Sequence, residues 1–298
     1  MACDKIDFTK EPVKVLLRSV DRHYYHWHNA VTIIQVLSGA INLKLWTGEH
    51  ILTEKHVAVI NTNEVHHIYG ITENKVLIIY IDCEYCQRVI EDFRSIEFYC
   101  CTNYNENRMP EKYDKVREYV FQLLSEMMGK ESANRSNRVK TICNKMLTYL
   151  VNNFDYLSYG CGVNKLDDKF IKRYKRIYEY SFGEKIKKVG LKEVAAHINI
   201  SPYHLSREIS KKFGYTYQQL QYAFMVACAT RELLGTDKSI ISICNEIGFS
   251  DAKYIIKYFK HYYGCTPSEF RNIYKNNYSN NVKYEEHDIS EVFKYFKL

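Results

Sequence analysis

The chain has 298 residues, 42 Lys and Arg against 35 Asp and Glu, a formal net charge of +7 and 46% hydrophobic residues. That length accommodates two domains whose cores need no disulfide staples. No apolar run approaches the roughly 20 residues that span a bilayer, and Met1 to Lys14 is polar and charged, which argues against a membrane or secreted protein. The expected location is cytoplasmic, where the ten cysteines stay reduced.

The charge is uneven. Lys165 to Lys275 holds 20 Lys and Arg and 11 Asp and Glu, a balance of +9, whereas the remainder is at −2. A basic C-terminal half beside a neutral N-terminal half points to a polyanionic partner for the former.

Residues 13–82 read as short strands. Val31 to Leu37 and Ala40 to Trp46 are separated by Ser38-Gly39, Thr47-Gly48 turns the chain, and His56 to Ile60, His66 to Ile71 and Val76 to Ile81 follow. Strands at near-regular spacing predict a sandwich or barrel. Cys83-Glu84-Tyr85-Cys86 is a C-x-x-C, and Cys100-Cys101 follows. With no second C-x-x-C and no histidine pair at finger spacing, buried thiols are the simpler reading.

The period then becomes helical. Val116, Val120, Leu123, Leu124 and Met127 share one face, as do Val139, Ile142, Cys143, Met146, Leu147 and Leu150. Helices 114–128 and 138–152 could complete the β-domain core or pair with a second copy. A homodimer is the expected use, since a DNA reader gains from two-fold symmetry. Residues 155–166 form the expected linker, and a helix is expected from Asp167 to Tyr180, with Phe170, Tyr174 and Ile177 on one face.

A pattern then occurs twice. Leu191, Val194, Ala195 and Ile198 precede Ser201-Pro202; 49 positions later Ile240, Ile243, Cys244 and Ile247 precede Gly248-Phe249-Ser250-Asp251. Two such patterns in register predict a duplicated helix-turn-helix, joined by a long helix from Tyr217 to Leu234. In the first unit Ser201 is the expected cap and Pro202 the first helical residue. Leu205, Ile209 and Phe213 point inward, leaving Tyr203, His204, Ser206, Arg207, Ser210 and Lys211 for DNA. Arg207 suits guanine, and the hydroxyls and Lys211 suit phosphate. In the second unit Gly248 permits the turn, and Ser250 or Asp251 caps the next helix. Ile255, Tyr258, Phe259 and Tyr262 pack inward, leaving Ala252, Lys253, Ile256, Lys257 and Lys260 outward. Lys253 and Lys257 are candidates for base or phosphate and Lys260 for phosphate, while Ile256 could meet a thymine methyl.

Gly248-Phe249-Ser250-Asp251, Tyr254, Phe259-Lys260, Gly264 and Thr266-Pro267-Ser268-Glu269-Phe270-Arg271 resemble the signature of the AraC/XylS family of bacterial transcriptional regulators, as do Ser201-Pro202-Tyr203, Leu205-Ser206-Arg207 and Gly214. The resemblance implies two recognition helices in successive major grooves of double-stranded DNA, most often in an activator. It also brings RNA polymerase into view as a partner. The chain departs from the family at Met225-Val226-Ala227-Cys228, where basic residues are usual. His26-Trp27-His28, Val31 to Leu37, Gly39 and His66 are similar to the cupin sensor domain of many family members. That resemblance implies a small barrel binding a small-molecule effector, with His26, His28, Thr32, Gln35, Trp46 and His66 lining a polar pocket. Trp46 could stack on a sugar ring or fill the core. His26 and His28 share a strand face by period two, and with His66 they make a three-histidine set. Metal-binding cupins add a glutamate where this chain has Thr32, so neither a metal nor another cofactor is expected. His23, His50, His56 and His67 are expected at the surface or in loops.

The expected fold class is α+β and multidomain. Residues 1–154 form a cupin-like β-barrel with a helical dimerisation segment, and 155–166 the linker. Residues 167–275 form an all-α double helix-turn-helix domain, and 276–298 a tail. The tail carries an apolar stripe, Ile289, Val292, Phe293 and Phe296, and a capping-box pair, Asp288 and Glu291. It is expected to dock on the DNA-binding domain or to open a further domain. The expected function is a ligand-responsive transcription regulator without catalytic residues. The alternatives are a constitutive DNA-binding dimer and a metal-dependent cupin enzyme.

Overall fold

The computed structural model describes residues 6–45, 48–91, 93, 96–105, 109–129, 134–154, 173, 176–177, 180–181, 189–213, 215–275 and 282–296. The chain divides into two compact units. One is Asp4–Tyr156 with Ser279–Leu298, and the other is Leu157–Tyr278 with the first three residues. The expected linker 155–166 lies outside the described residues. Of the helix expected over 167–180, Arg173, Arg176, Ile177 and Tyr180 are described and helical.

The first unit is a nearly closed antiparallel barrel. Its strands are β1 (Val13–His26), β2 (Ala30–Ser38), β3 (Ala40–Leu45), β4 (Gly48–Thr53), β5 (Val57–Ile60), β6 (His66–Gly70) and β7 (Lys75–Asp82), in the order β4-β3-β6-β1-β7-β2-β5. β2 is buried on both faces, which is why Val31 to Leu37 shows no alternation. Inside, Ile34, Val36, Ile41, Leu43, Leu52, Ile60, Ile68, Ile78 and Tyr80 form one apolar cluster. Gly39 (φ 72°) turns β2 into β3, and an added Cβ there would lie 1.9 Å from the Glu73 carbonyl oxygen. Only glycine fits that approach.

After β7, Asp82 caps α1 (Cys83–Val89), accepting hydrogen bonds from the Glu84 and Tyr85 backbone N–H groups. The C-x-x-C therefore lies on a helix, with both thiols buried. Burial pushes the Cys86 thiol well up and the Cys101 thiol up to about 12, which suits packing rather than reactivity. A short turn, α2 (Thr102–Asn105), leads to the long helices α3 (Pro110–Met128) and α4 (Arg135–Phe154). Here the structure corrects one expectation. The apolar faces offered for pairing with a second copy are buried within one chain: Val116, Val120, Leu123, Leu124, Cys143, Met146, Leu147 and Leu150 are all 0% exposed. α3 is tied to the barrel by Tyr113, which donates to the Cys101 carbonyl, and Arg117, which donates to that of Lys55.

The tail is a second correction. Val282–His287 forms a strand, β8, and Ile289–Lys294 a 3-10 turn capped by Asp288; both belong to the barrel unit. β8 pairs antiparallel with β1 from Leu17 to His23. Arg18 pairs with both Val76 and Glu286, and Arg22 with both Tyr69 and Lys283. A strand residue has one neighbour on each side, so β6 and β7 share one edge of β1 and β8 covers the other.

The second unit is helical: α5 (Leu191–His197), α6 (Pro202–Phe213), α7 (Tyr217–Gly235), α8 (Ile240–Ile247), α9 (Ala252–Tyr263) and α10 (Pro267–Tyr274). α7 is its axis. Met225, Val226 and Cys228, which stand where the family is usually basic, are 0–4% exposed and pack in the core. Thr266 and Glu269 form a reciprocal capping box at α10, and Phe270 is fully buried.

Candidate nucleic-acid interface and histidine cluster

The two helix-turn-helix units share a hydrogen-bond frame. In the first, Asn199 takes a left-handed conformation (φ 58°), its N–H donates to the Ala196 carbonyl, and the Ile200 N–H donates to Ala195. In the second, Gly248 is left-handed (φ 86°), its N–H donates to the Asn245 carbonyl, and the Phe249 N–H donates to Cys244. Every partner is displaced by 49 positions. Asparagine is among the few non-glycine residues that tolerate this conformation, so the turn repeats though the residue differs.

Beyond the turn the displacement becomes 50. α6 begins at Pro202 and α9 at Ala252; Leu205 and Ile209 are buried, and so are Ile255 and Phe259. The extra residue lies at the cap. Ser201 accepts a hydrogen bond from the His204 N–H (3.2 Å), whereas Ser250 intervenes and Asp251 accepts from Lys253 N–H (2.8 Å). Asp251, of the two expected candidates, is therefore the cap.

In this frame the outward positions correspond. Tyr203, Ser206, Arg207 and Ser210 on α6 match Lys253, Ile256, Lys257 and Lys260 on α9. Tyr203 is 76% exposed and Ile256 39%. Arg207, Lys257 and Lys260 are exposed. Lys253 is held 3.2 Å from Asp251, which offsets part of its charge. His204 is exposed and 3.8 Å from Glu208, itself paired with Arg173 at 3.0 Å, so it stands beside an acidic residue rather than within the stripe. Ala252 is half-buried at the start of α9, and the side chain of Lys211 lies outside the described residues. Tyr258, Tyr254 and Phe249 stack around Tyr222 of α7, with ring centroids 4.1, 6.0 and 6.2 Å away, which fixes the pitch of α9.

In the barrel, His26, His28 and His66 come together. Their ring centroids are 4.1 to 5.1 Å apart, each ring is at most 2% exposed, and one nitrogen from each lies within 4.8 Å of the others. β1 ends at His26, so His28 reaches the cluster from the turn before β2 rather than from the same strand. Thr32 joins them from β2, opposite Tyr80, and its buried hydroxyl has no hydrogen-bond partner among the described residues. Gln35 does not join. It lies an odd number of positions from Thr32 and Ile34 and so faces the other side of β2. Trp46 lies outside the described residues.

The reading of His23 as a surface residue is corrected. His23 is 5% exposed and stacks on His26 at 3.5 Å. The signal was period two along β1, hidden by an irregularity in the pairing between His23 and His26. His50 is also buried, at 9%, and His67 is half-buried on β6.

Burial pushes the His26 imidazole down to about 3 and that of His67 to about 4. His23 lies well below the usual histidine range, first from burial and then from neighbouring His26, His66 and His28. Nδ1 of His26 is 2.7 Å from the Tyr24 carbonyl oxygen, and Nδ1 of His66 is 2.9 Å from that of Glu64. A carbonyl only accepts, so each Nδ1 carries the hydrogen and each Nε2 keeps a lone pair. Carbonyl-anchored imidazoles of this kind suit either a hydroxyl-bearing ligand or a borderline transition metal. Among the described residues, no carboxylate joins the three histidines in the set.

The chain matches two family descriptions: an AraC-like ligand binding domain over residues 17–143, and a helix-turn-helix domain over residues 194–273. It belongs to the AraC family, with a ligand-binding domain joined to a DNA-binding one. It is similar to the regulatory protein PocR of Salmonella typhimurium, 33% identical over 81 residues, covering 27% of each chain. It is also similar to the Msm operon regulatory protein of Streptococcus mutans, 26% identical over 133 residues, covering 45% of this chain and 46% of that one. The chain thus spans between a quarter and a half of the length of these relatives. Among solved structures, unsaturated fatty acid-bound ToxT from Vibrio cholerae aligns over 90% of this chain and 97% of its own, with 12% identity and a TM-score of 0.48. Among the described residues, no helix is long and apolar enough to cross a membrane.

Proposed function

We propose that the protein is a cytoplasmic, ligand-responsive transcription regulator, an activator, that reads double-stranded DNA through α6 and α9. The observation that carries this reading is the repeated frame, which presents two matched sets of outward side chains on helices of equal length. Arg207 reads base edges, supported by Tyr203, while His204 flanks them beside Glu208. Ser206, Ser210, Lys211, Lys253, Lys257 and Lys260 hold phosphate, and Ala252 and Ile256 provide apolar contact. A salt-dependent gel shift on genomic fragments tests it. Binding to no fragment, with or without small molecules, would sink it.

The effector site is the histidine end of the barrel, where His26, His28, Thr32 and His66 present buried polar groups to an apolar interior. A small polar molecule fits this chemistry, and sugars are the first class to screen by thermal shift. The protein acts as a homodimer and recruits RNA polymerase, without catalysing a reaction. Because the apolar faces of α3 and α4 are used within the chain, pairing engages their outward, polar faces. Sedimentation at micromolar concentration tests this.

One observation favours a second reading, in which the effector is a transition-metal ion. The anchored Nδ1 groups of His26 and His66 leave two Nε2 lone pairs in one cluster, with His28 alongside. Stoichiometric zinc or nickel in purified protein, lost in His66→Ala, would favour it. Its absence after metal loading removes it.

A further inference from the structure

α7 joins the two helix-turn-helix units, and both take hold of it at adjacent residues. Gln221 Nε2 donates to the Val189 carbonyl at 3.0 Å, and the Tyr217 hydroxyl, one turn earlier, donates to the same oxygen at 3.1 Å. Val189 lies two residues before α5, so this carbonyl fixes where the first unit begins. Two donors fill its two lone pairs. Tyr222 is the next residue on α7, turned about 100° around the helix. Its ring meets three rings of the second unit, those of Tyr258, Tyr254 and Phe249, at interplanar angles of 20°, 17° and 23°. Gln221 is 4% exposed and Tyr222 2%, so α7 is enclosed on both of these faces at one level.

A second hold on α9 lies further along. Thr230 Oγ1 is 3.1 Å from the hydroxyl of Tyr263, the last residue of α9. Phe259, fully buried, packs on Tyr263 and on Phe270 of α10. The far end of α9 is therefore held without Tyr222. The earlier turns, which carry Lys253, Ile256 and Lys257, lean on Tyr222 through Tyr254 and Tyr258. Without that ring α9 keeps its pivot, and its reading half loses its stop.

DNA sets a strict scale for such a movement. Successive base pairs lie about 3.4 Å apart along the axis and about 35° apart around it. A second unit reading one base pair further away would have to make that move as a body. Three near-parallel rings on one body cannot make it and stay packed on a single ring.

We infer that Gln221 and Tyr222 are positioning residues that fix the spacing, in base pairs, between the sequences read by α6 and α9. This role rests on the proposed DNA-binding function, since spacing has meaning only for a protein that reads two sequences at once.

The test uses the full chain and begins with selection from random duplexes of about 30 base pairs, or three helical turns. Wild type should enrich two sequence blocks at one spacing. It should bind that duplex at least tenfold more tightly than the same duplex with one base pair inserted between the blocks. Tyr222→Leu should lower this ratio to threefold or less, and Tyr222→Phe, which keeps the ring, should restore it. If Tyr222→Leu loses its helical circular dichroism, Gln221→Leu, which removes one of the two hydrogen bonds to Val189, provides the same measurement. A variant that folds and keeps the ratio, even while weakening both duplexes alike, overturns the positioning role and leaves DNA binding standing. Enrichment of a single block also overturns it, because one helix then reads alone. If wild type enriches no sequence, the DNA-binding function fails and the positioning role with it.

Discussion

The two recognition helices are built on one frame and dressed differently. α6 presents Tyr203, Ser206, Arg207 and Ser210, whereas α9 presents Lys253, Ile256, Lys257 and Lys260 at the same positions. The first set carries one guanidinium among groups that form directed hydrogen bonds. The second carries three ammonium groups and one apolar branch. A guanidinium reads guanine through two fixed hydrogen bonds, whereas an ammonium acts as a point charge. The comparison teaches that duplication preserved the part of the motif that folds and left the exposed part free to divide the work. On the proposed function, base discrimination would fall to α6 and affinity to α9.

The largest effect tests the alignment itself. With a displacement of 50, Leu205 and Ile255 are equivalent core residues, each 0% exposed, and alanine at either should cost about 2–5 kcal/mol in denaturant unfolding. A displacement of 49 would instead equate Leu205 with half-buried Tyr254. Should Tyr254→Ala cost more than Ile255→Ala, the matching of the two surfaces breaks.

Next comes the division of labour. Arg207→Ala should cost about 1–3 kcal/mol on the preferred site and relax the preference at one base position, read by competition among sequence variants. Lys257→Ala should weaken all sequences alike and reduce the slope of log affinity against log salt by about 1. The reverse pattern would move base reading to α9.

The caps and turns follow. Ser201→Ala and Asp251→Ala should each cost about 1 kcal/mol by loss of an N-cap, visible as a lowered melting temperature. Gly248→Ala should cost about 1 kcal/mol, because the residue must hold φ 86°. Asn199→Gly, at the equivalent turn, should shift stability by only a few tenths of a kcal/mol, since asparagine already tolerates that region. Equal costs at the two turns would show that they are not conformational equivalents.

Much of the helical unit was legible in the sequence. The apolar positions of α5, α6, α8 and α9 repeat at helical spacing, and Gly248 marks a turn that needs positive φ. The barrel was legible as a class, because β2, β3 and β7 are apolar runs punctuated by glycine and threonine. The site within it was only partly so. His26, His28 and His66 were found from their spacing and from the cupin resemblance. His23 was missed because an irregularity in β1 breaks the alternation that would have placed it inside. Gln35 was included although strand parity puts it on the other face from Thr32 and Ile34.

By itself, then, the sequence determined what depends on neighbours along the chain. That includes the paired helix-turn-helix units, their caps and inward faces, the strand-rich first half, and the family to which both belong. Tertiary structure alone decided what depends on distant partners. The apolar faces of α3 and α4 close the protomer's own core, where the pattern alone could equally have served a dimer. The one-residue slip at the caps brings Tyr203, Ser206, Arg207 and Ser210 into register with Lys253, Ile256, Lys257 and Lys260. β8 pairs with β1, with side-chain partners 268 positions apart, through a polar segment whose exposed residues carry no apolar period to announce a strand. Backbone pairing at such range leaves no mark on local composition, because any residue but proline can contribute an N–H and a carbonyl to a ladder.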